Sequence, residues 1–305
     1  MQAVRHTPVL AERAVELLRA RRRGLFVDGT VGTGGHAELI LGADGSLAEL
    51  LGVDRDPGAI AEARERLASF GPRVQLVCAN FSGIAALLGR RKADGFLLDL
   101  GVSTYQLSDA TRGFSYRMNG PLNMAMGEDG RPVKEFISGA DEREIARVLR
   151  EYGEERRSRA IAREIVRARS QRGMETTLQL REAVSRVARR EDVNGTLSRV
   201  FQALRIWANG ELESLAAFLP QAVECSNSGA RIVIISYHSL EDRIVKRFFR
   251  QEERGCTCPN DFPECRCGQS PRLAVLTRAA VKPPQEEIER NPRARSAKLR
   301  AAERL

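Results

Sequence analysis

The chain has 305 residues, 42% of them hydrophobic and 29% charged, a balance that supports a buried core and excludes collagen-like, low-complexity and disordered chains. Lys and Arg number 49 against 40 Asp and Glu, a formal net charge of +9; this favours a polyanionic partner, nucleic acid foremost, although an Arg-heavy composition of other origin gives the same excess. No apolar run approaches the ~20 residues that span a bilayer, and the first amphipathic segment carries Glu12 and Glu16 without a secretory hydrophobic core, so a cytoplasmic protein with no membrane partner is expected.

From residue 25 onward, short apolar runs alternate with helix-length amphipathic segments, the pattern of a parallel α/β sheet. Residues 25–28, 50–54, 74–78 and 95–99 read as four strands. Between them helices are expected over 37–41, 57–70 and 82–88, and Pro57 suits a first helical turn. A Gly-, Ser- and Asn-containing stretch then runs to about Arg131, and charged amphipathic helices follow from Asp141 to about Arg190 with no strand between them. Residues 211–223 read as helix and 231–236 as a fifth strand, while 273–277 and 297–301 are expected to form a closing β-pair. This order predicts an α/β core in two parts, 1–106 and 206–305, around an inserted helical domain at 107–205.

The strand ending at Asp28 leads into Gly29-Thr30-Val31-Gly32-Thr33-Gly34-Gly35-His36 and then a helix. In a doubly wound sheet this turn lies at the carboxyl edge, where glycines let backbone approach a ligand and helix N–H groups meet an anion. Asp54 ends the second strand, placed to accept hydrogen bonds from ribose hydroxyls. The glycines fall as G-x-x-G-x-G-G, not the G-x-G-x-x-G of dinucleotide enzymes, so S-adenosylmethionine fits better. Its carboxylate would meet the loop, its ribose Asp54, and its adenine the Asn80-Phe81 end of the third strand. Phe81 is either a flat wall for adenine or a plain core aromatic.

Asp99 ends the fourth strand, where a transferable methyl would lie. An exocyclic amine is a poor nucleophile because its lone pair is delocalised into the ring. A carboxylate that accepts the amino hydrogens favours a tetrahedral nitrogen. Holding the cofactor or capping the next turn are the other roles open to Asp99. His238, just past the fifth strand, reads as a structural residue sooner than a general base, with Ser239 as the cap of the helix it opens.

Cys256, Cys258, Cys265 and Cys267 crowd into one short loop, a set suited to structural Zn²⁺, with free thiols or a reversible disulfide as alternatives. Arg156, Arg157, Arg159, Arg163 and Arg167 recur along an expected helix, either as phosphate contacts or as a solvated face. Among Tyr105, Phe114, Tyr116 and Trp207, Tyr116 is the favoured residue for stacking a splayed base, and core packing is expected of Phe114 and Trp207.

With these residues in view the chain resembles the RsmH (MraW) family nearly from end to end. The resemblance is carried by His6-Thr7-Pro8-Val9-Leu10, Asp28-Gly29-Thr30 with Gly34-Gly35-His36, Asp54-Arg55-Asp56-Pro57, Leu98-Asp99-Leu100-Gly101-Val102-Ser103 and Arg112-Gly113-Phe114-Ser115. It continues in Tyr152-Gly153-Glu154-Glu155, Phe201-Gln202-Ala203-Leu204-Arg205-Ile206, His238-Ser239-Leu240-Glu241-Asp242-Arg243 and Asn291-Pro292-Arg293-Ala294-Arg295-Ser296. What it implies is a Rossmann-like S-adenosylmethionine-dependent core with an inserted helical substrate-recognition domain. The implied reaction is N4-methylation of a decoding-centre (P-site) cytosine in 16S ribosomal RNA of the small ribosomal subunit. Carried over by motif, the cofactor contacts are Gly34, Gly35, His36, Asp54, Phe81, Asp99 and Gln106. Asp99 is the main catalytic candidate, with Ser103 and Asn123 as secondary ones.

Two segments depart from the family pattern. Gly-Pro-Leu-Asp-Met-Arg-Met is replaced by Gly120-Pro121-Leu122-Asn123-Met124-Ala125-Met126, and a segment beginning His-Pro-Ala-Thr by Asn194-Gly195-Thr196-Leu197, which puts a substrate contact or a helix cap in question. A paralogue with a shifted RNA or DNA substrate, or a ribosome-assembly binding protein without catalysis, are the rival readings. The Pro-Pro-aromatic signature of DNA amino methylation after the fourth-strand acid is missing, which favours RNA. The sequence does not select between a monomer and a homodimer.

Overall fold

The structure, a computed structural model, describes residues 8–20, 23–43, 47–256, 258 and 266–305, without the side chains of residues 104 and 105. His6, Thr7, Cys265 and the Tyr105 side chain therefore lie outside the described residues. Two compact units divide the chain, Met1–Gly101 with Leu212–Leu305, and Val102–Glu211.

The first unit is built on α1 (Ala11–Leu18), β1 (Gly24–Asp28), α2 (Gly35–Gly42), β2 (Ala48–Asp54), α3 (Pro57–Arg66), β3 (Val74–Cys78), α4 (Ile84–Leu88) and β4 (Ala93–Asp99). The second holds α5 (Thr104–Ser108), α6 (Val133–Gly139), α7 (Glu142–Gly153), α8 (Ser158–Arg172), α9 (Thr177–Val187) and α10 (Val193–Asn209). After α11 (Glu211–Glu224), the first unit is completed by β5 (Ser226–Ser236), α12 (Ser239–Arg254), β6 (Leu273–Val275), α13 (Gln285–Arg290) and β7 (Lys298–Arg304).

The strands form one seven-stranded sheet in the order β3-β2-β1-β4-β5-β7-β6, with β7 antiparallel to both its neighbours. This is a Rossmann-like α/β core. Alternation along each strand decides what each face buries. Phe26, Leu50, Leu97, Val233 and Ile235 join one cluster with α1 and α2, and Val27, Leu51, Phe96, Leu98, Ile232 and Ile234 join another with α11 and α12. Both faces are covered, so the central strands read as continuous apolar runs.

Helix ends follow local chemistry. Asp56 caps α3 by accepting the Gly58 N–H at 3.0 Å. The helix expected to reach residue 70 stops at Arg66, because Gly71 turns to φ 57 and Pro72 follows it, leaving a 3-10 stretch over Ala68–Arg73. His238, not Ser239, is the N-cap of α12.

The second unit has its own core, where Ile137, Ile145, Leu149, Ile161, Ile165, Leu180, Val184 and Leu204 are fully buried. Asp141 caps α7, and a reciprocal Thr176–Gln179 pair caps α9. Asn194-Gly195-Thr196-Leu197 forms the start of α10, which has no side-chain cap: the Asp192 carboxylate is taken by Arg199 at 2.8 Å instead.

Phe96 is fully buried and meets Phe218 edge-on, ring centroids 6.0 Å apart. Phe96→Ala is expected to cost about 3–5 kcal/mol of unfolding free energy, read from the denaturant midpoint; a loss below about 1 kcal/mol would contradict this packing.

Candidate active site

Asp28, Asp54 and Asp99 end β1, β2 and β4 on the same edge of the sheet. The backbone laces these ends together. Gly29 N–H donates to the Leu97 carbonyl, Val31 N–H to Val53, and Leu100 N–H to Ile235, each at 2.9 Å. Side chains extend the lacing: Asp54 accepts the Gly32 and Asp56 N–H groups, both at 2.9 Å, and Thr30 Oγ1 accepts the Asp99 N–H at 2.7 Å. The glycine loop is thereby pinned to the strand on each side of β1.

Gly34 is the N-cap of α2 and sits at φ 85, a left-handed conformation that disfavours any side chain; a Cβ there would also press on Leu67 Cγ at 3.3 Å. Gly34 N–H is already taken, donating to the Val31 carbonyl at 2.8 Å. First-turn N–H groups of a helix have no intrahelical acceptor, so Gly35 and His36 are the residues of this stretch that offer donors to an anion. The His36 side chain is turned inward. Its Nε2 donates to the Val9 carbonyl at 3.0 Å, and burial pushes its pKa down to about 4, so it is neutral at pH 7 with Nδ1 unprotonated, 3.7 Å from Asp99 Oδ2. What His36 leaves for a ligand is its backbone.

The Asp99 carboxylate is held from another direction by Tyr237, whose hydroxyl donates to Oδ1 at 2.8 Å. Burial, then the Asp99 charge, pushes the Tyr237 pKa upward, so the phenol keeps its proton. Sequence reasoning misses Tyr237; its position one residue beyond β5, at the edge that carries the acids, is the signal that marks it. Asp28 likewise reads in the sequence only as a strand end. It is buried, its Oδ1 accepts the Thr30 N–H at 3.2 Å, and Oδ2 has no partner among the described residues. Burial, reinforced by the Asp99 and Asp54 charges, pushes its pKa up to about 8. Burial also raises Asp54, against the two N–H groups it accepts.

Asn80 follows β3, accepts the Ser82 N–H at 3.0 Å and donates to Ser214 Oγ at 3.2 Å. Phe81 beside it is half-buried, meets Phe218 edge-on at 5.6 Å, and brings its Cβ within 3.2 Å of where a Cβ on Gly29 would stand. It is thus both a flank of the loop and a core neighbour. Three carboxyl groups, a glycine loop, a helix start and this ring together suit a ligand with cationic and hydroxyl donors, one anionic end and a flat apolar part.

In the second unit, Ser103 and Gln106 form a reciprocal cap on α5: each side chain accepts the other's backbone N–H at 3.1 Å. Asn123 Oδ1 is buried without a partner among the described residues. Arg112 donates to the carbonyls of Ala125 and Met126 at 3.2 and 2.9 Å. Tyr116 packs edge-on against Phe201 at 5.5 Å with its hydroxyl 3.2 Å from Ser198 Oγ. Trp207 stacks on Phe136 at 4.1 Å, and Phe114 is buried. Of the five arginines, Arg156 and Arg157 precede α8; Arg159, Arg163 and Arg167 share one face of it at four-residue spacing, with Arg167 paired to Glu164 at 2.8 Å.

Elsewhere in the first unit, His238 Nδ1 accepts the Glu241 N–H at 3.5 Å and Nε2 lies 3.2 Å from Glu241 Oε1, a capping arrangement. Cys256, Cys258 and Cys267 bring their sulfurs within 4.8 Å of one another, and Arg266 N–H donates to Cys258 Sγ at 3.4 Å.

A sequence profile described as the MraW methylase family matches residues 3–305. Proteins bearing the name Ribosomal RNA small subunit methyltransferase H are similar throughout. That of Heliobacterium modesticaldum is 47% identical over 98% of each chain. That of Geobacter sulfurreducens is 48% identical over 98% of this chain and 99% of its own, and that of Pelobacter propionicus 46% identical over 100% of both.

The unfolded chain releases the Asp28 proton near its ordinary 3.8 while the folded chain holds it to about 8, so stability falls as pH rises through that window. Asp28→Asn removes this dependence. The thermal midpoint of the parent is expected to drop more than that of the variant between about pH 6 and about pH 9; parallel curves would refute a protonated Asp28.

Proposed function

This chain belongs to the MraW methylase family, and from that premise we propose that it transfers a methyl group from S-adenosylmethionine to N4 of a decoding-centre (P-site) cytosine in 16S ribosomal RNA. The observation that carries the chemistry is Asp99, held between the Thr30 hydroxyl and the Tyr237 hydroxyl at the edge shared with Asp54 and the glycine loop. That relatives of equal length are named for small-subunit ribosomal RNA supports the substrate. A cytoplasmic location goes with it, and among the described residues no helix is long and apolar enough to cross a membrane.

Helix N–H groups at Gly35 and His36 would take the methionine carboxylate, with Gly34, whose N–H donates to the Val31 carbonyl, giving the close backbone approach beside them. Asp54 has one lone pair on each oxygen left after its two backbone bonds, enough for the ribose hydroxyls, and Phe81 would flank the adenine. Gln106 is the remaining proposed contact. When bound, S-adenosylmethionine supplies a methyl on a sulfonium, and the S–C bond electrons stay with sulfur as the N–C bond forms. Strand-end carboxyl groups favour a cation there and lose that attraction once sulfur is neutral. Asp99 would accept a hydrogen bond from the cytosine amino group, drawing the nitrogen lone pair out of conjugation, and would then take the proton that the methylated nitrogen sheds, while Tyr237 fixes the carboxylate's direction. Ser103 and Asn123 are proposed as its assistants. Positioning supplies most of the acceleration.

We also propose a structural Zn²⁺ on Cys256, Cys258 and Cys267, with Cys265 the fourth thiol of the sequence. Three converging sulfurs and an N–H donor on one of them fit a thiolate site.

Asp99→Ala is expected to lower kcat by about 10²-fold or more with an unchanged thermal midpoint, read by mass spectrometry of small-subunit RNA methylated in vitro and in cells lacking the gene. Normal N4-methylcytosine in those cells, or undiminished turnover of the variant, would refute the assignment. Purified protein is expected to carry about one zinc per chain, lost on Cys267→Ser; metal-free protein of full thermal stability would exclude the zinc.

A further inference from the structure

At the far edge of the sheet from the glycine loop, a cavity of about 260 Å³ lies between α12 and the β6–β7 edge. Its walls carry Lys246 and Arg250 one helical turn apart on α12, Arg278 beyond β6, and Arg300 on β7, around Phe249 and Thr277. Lys246, Arg250 and Arg278 have no hydrogen-bond or ion-pair partner among the described residues. Arg300 is the telling residue. It is only 8% exposed, and its Nε donates to Asp242 Oδ1 at 2.6 Å, yet its two terminal amino groups have no partner among the described residues. Those amino groups are not sealed from solvent, so the fork opens into the recess, where it can donate to solvent or to an oxyanion.

The acidic groups nearby do not cancel this charge. Glu253, also on the wall, accepts the Val275 N–H at 3.0 Å, and Asp242 is shared by Arg300 and Lys298. Four cations therefore converge on a recess with an apolar floor, a combination that suits an oxyanion with several acceptors. Thr277 is spoken for: its Oγ1 accepts the Ala301 N–H at 2.9 Å.

We infer that this recess binds backbone phosphates of the substrate RNA, a reading that rests on the proposed RNA substrate and extends it to the first unit. Placement favours a polymer over an isolated anion. α12 begins at Ser239, just past Tyr237 at the reactive edge, and at about 1.5 Å per residue Lys246 and Arg250 stand about 10 and about 16 Å along it. Arg243 and Arg247 are exposed on the same helix. The cations thus form a stripe leading away from the edge that carries Asp99, the direction a strand would take from a nucleotide held there.

The test uses full-length protein, a single-stranded oligoribonucleotide of the decoding region, and the double variant Lys246→Ala with Arg250→Ala. The slope of log affinity against log salt is expected to fall by about 0.7 for each phosphate that the variant no longer neutralises, with affinity at physiological salt down by about tenfold. Arg64→Ala with Arg90→Ala removes equal charge from exposed positions elsewhere in the unit and is expected to leave the slope alone. An unchanged slope, an equal fall in the control pair, or no RNA binding by the parent would overturn the inference. So would weakened binding confined to phosphatidylglycerol vesicles or to inorganic phosphate. Calorimetry with S-adenosylmethionine separates the two readings. Absent cofactor binding with an intact slope effect sinks the methyl-transfer reading alone, and intact cofactor binding with no slope effect sinks the phosphate recess alone.

Discussion

Desolvation of the carboxyl groups at the ends of β1 and β2 is the constraint on which the site depends. A buried carboxylate is costly unless donors meet it, and here the donors are backbone N–H groups of the loops that make the crevice. Asp54 takes Gly32 and Asp56; Asp28 takes Thr30. The groups that would touch a ligand are therefore the groups that shape its pocket. Asp28 goes unsatisfied at one oxygen and keeps a proton, which spares the edge a third full negative charge.

A second consequence concerns direction. Asp99 is held at its backbone by Thr30 and at its carboxylate by Tyr237, so its orientation comes from the first loop and from the end of β5, elements far apart in sequence. Catalysis by positioning needs such over-determined geometry. The sheet supplies it because both its faces are filled: alternate residues of β1, β4 and β5 enter two separate apolar clusters, and a slip by one residue would exchange them.

Polar residues at element ends divide between two kinds of work. His238, Ser103, Gln106, Asp56 and Asp141 serve caps, and His36 ties α2 to the N-terminal segment through Val9. Histidine and serine at the end of a strand look catalytic in a linear reading because that is where catalytic groups belong in an α/β fold. Capping draws on the same residue types for the same reason, an oxygen or nitrogen beside free N–H groups.

Much of this protein is legible from one dimension. Strand positions along the chain, the long helical insertion and the acids at strand ends follow from periodicity and turn residues, which act over a few positions, whereas the order of strands in the sheet is set by long-range pairing. The motif spacing is sufficient to indicate a methylase. Helix termini are less legible: α3 stops short where Gly71 and Pro72 intervene, and the cap of α12 moves from Ser239 to His238, since a cap is chosen by backbone angle as well as residue type. Three-dimensional folding alone decided that Tyr237 holds Asp99, that Asp28 keeps its proton, that the side chain of His36 faces inward, and that Arg300 turns an unpaired fork into a recess with Lys246 and Arg250. Each of these depends on desolvation and on partners tens to hundreds of residues away, quantities that have no local signature in a chain.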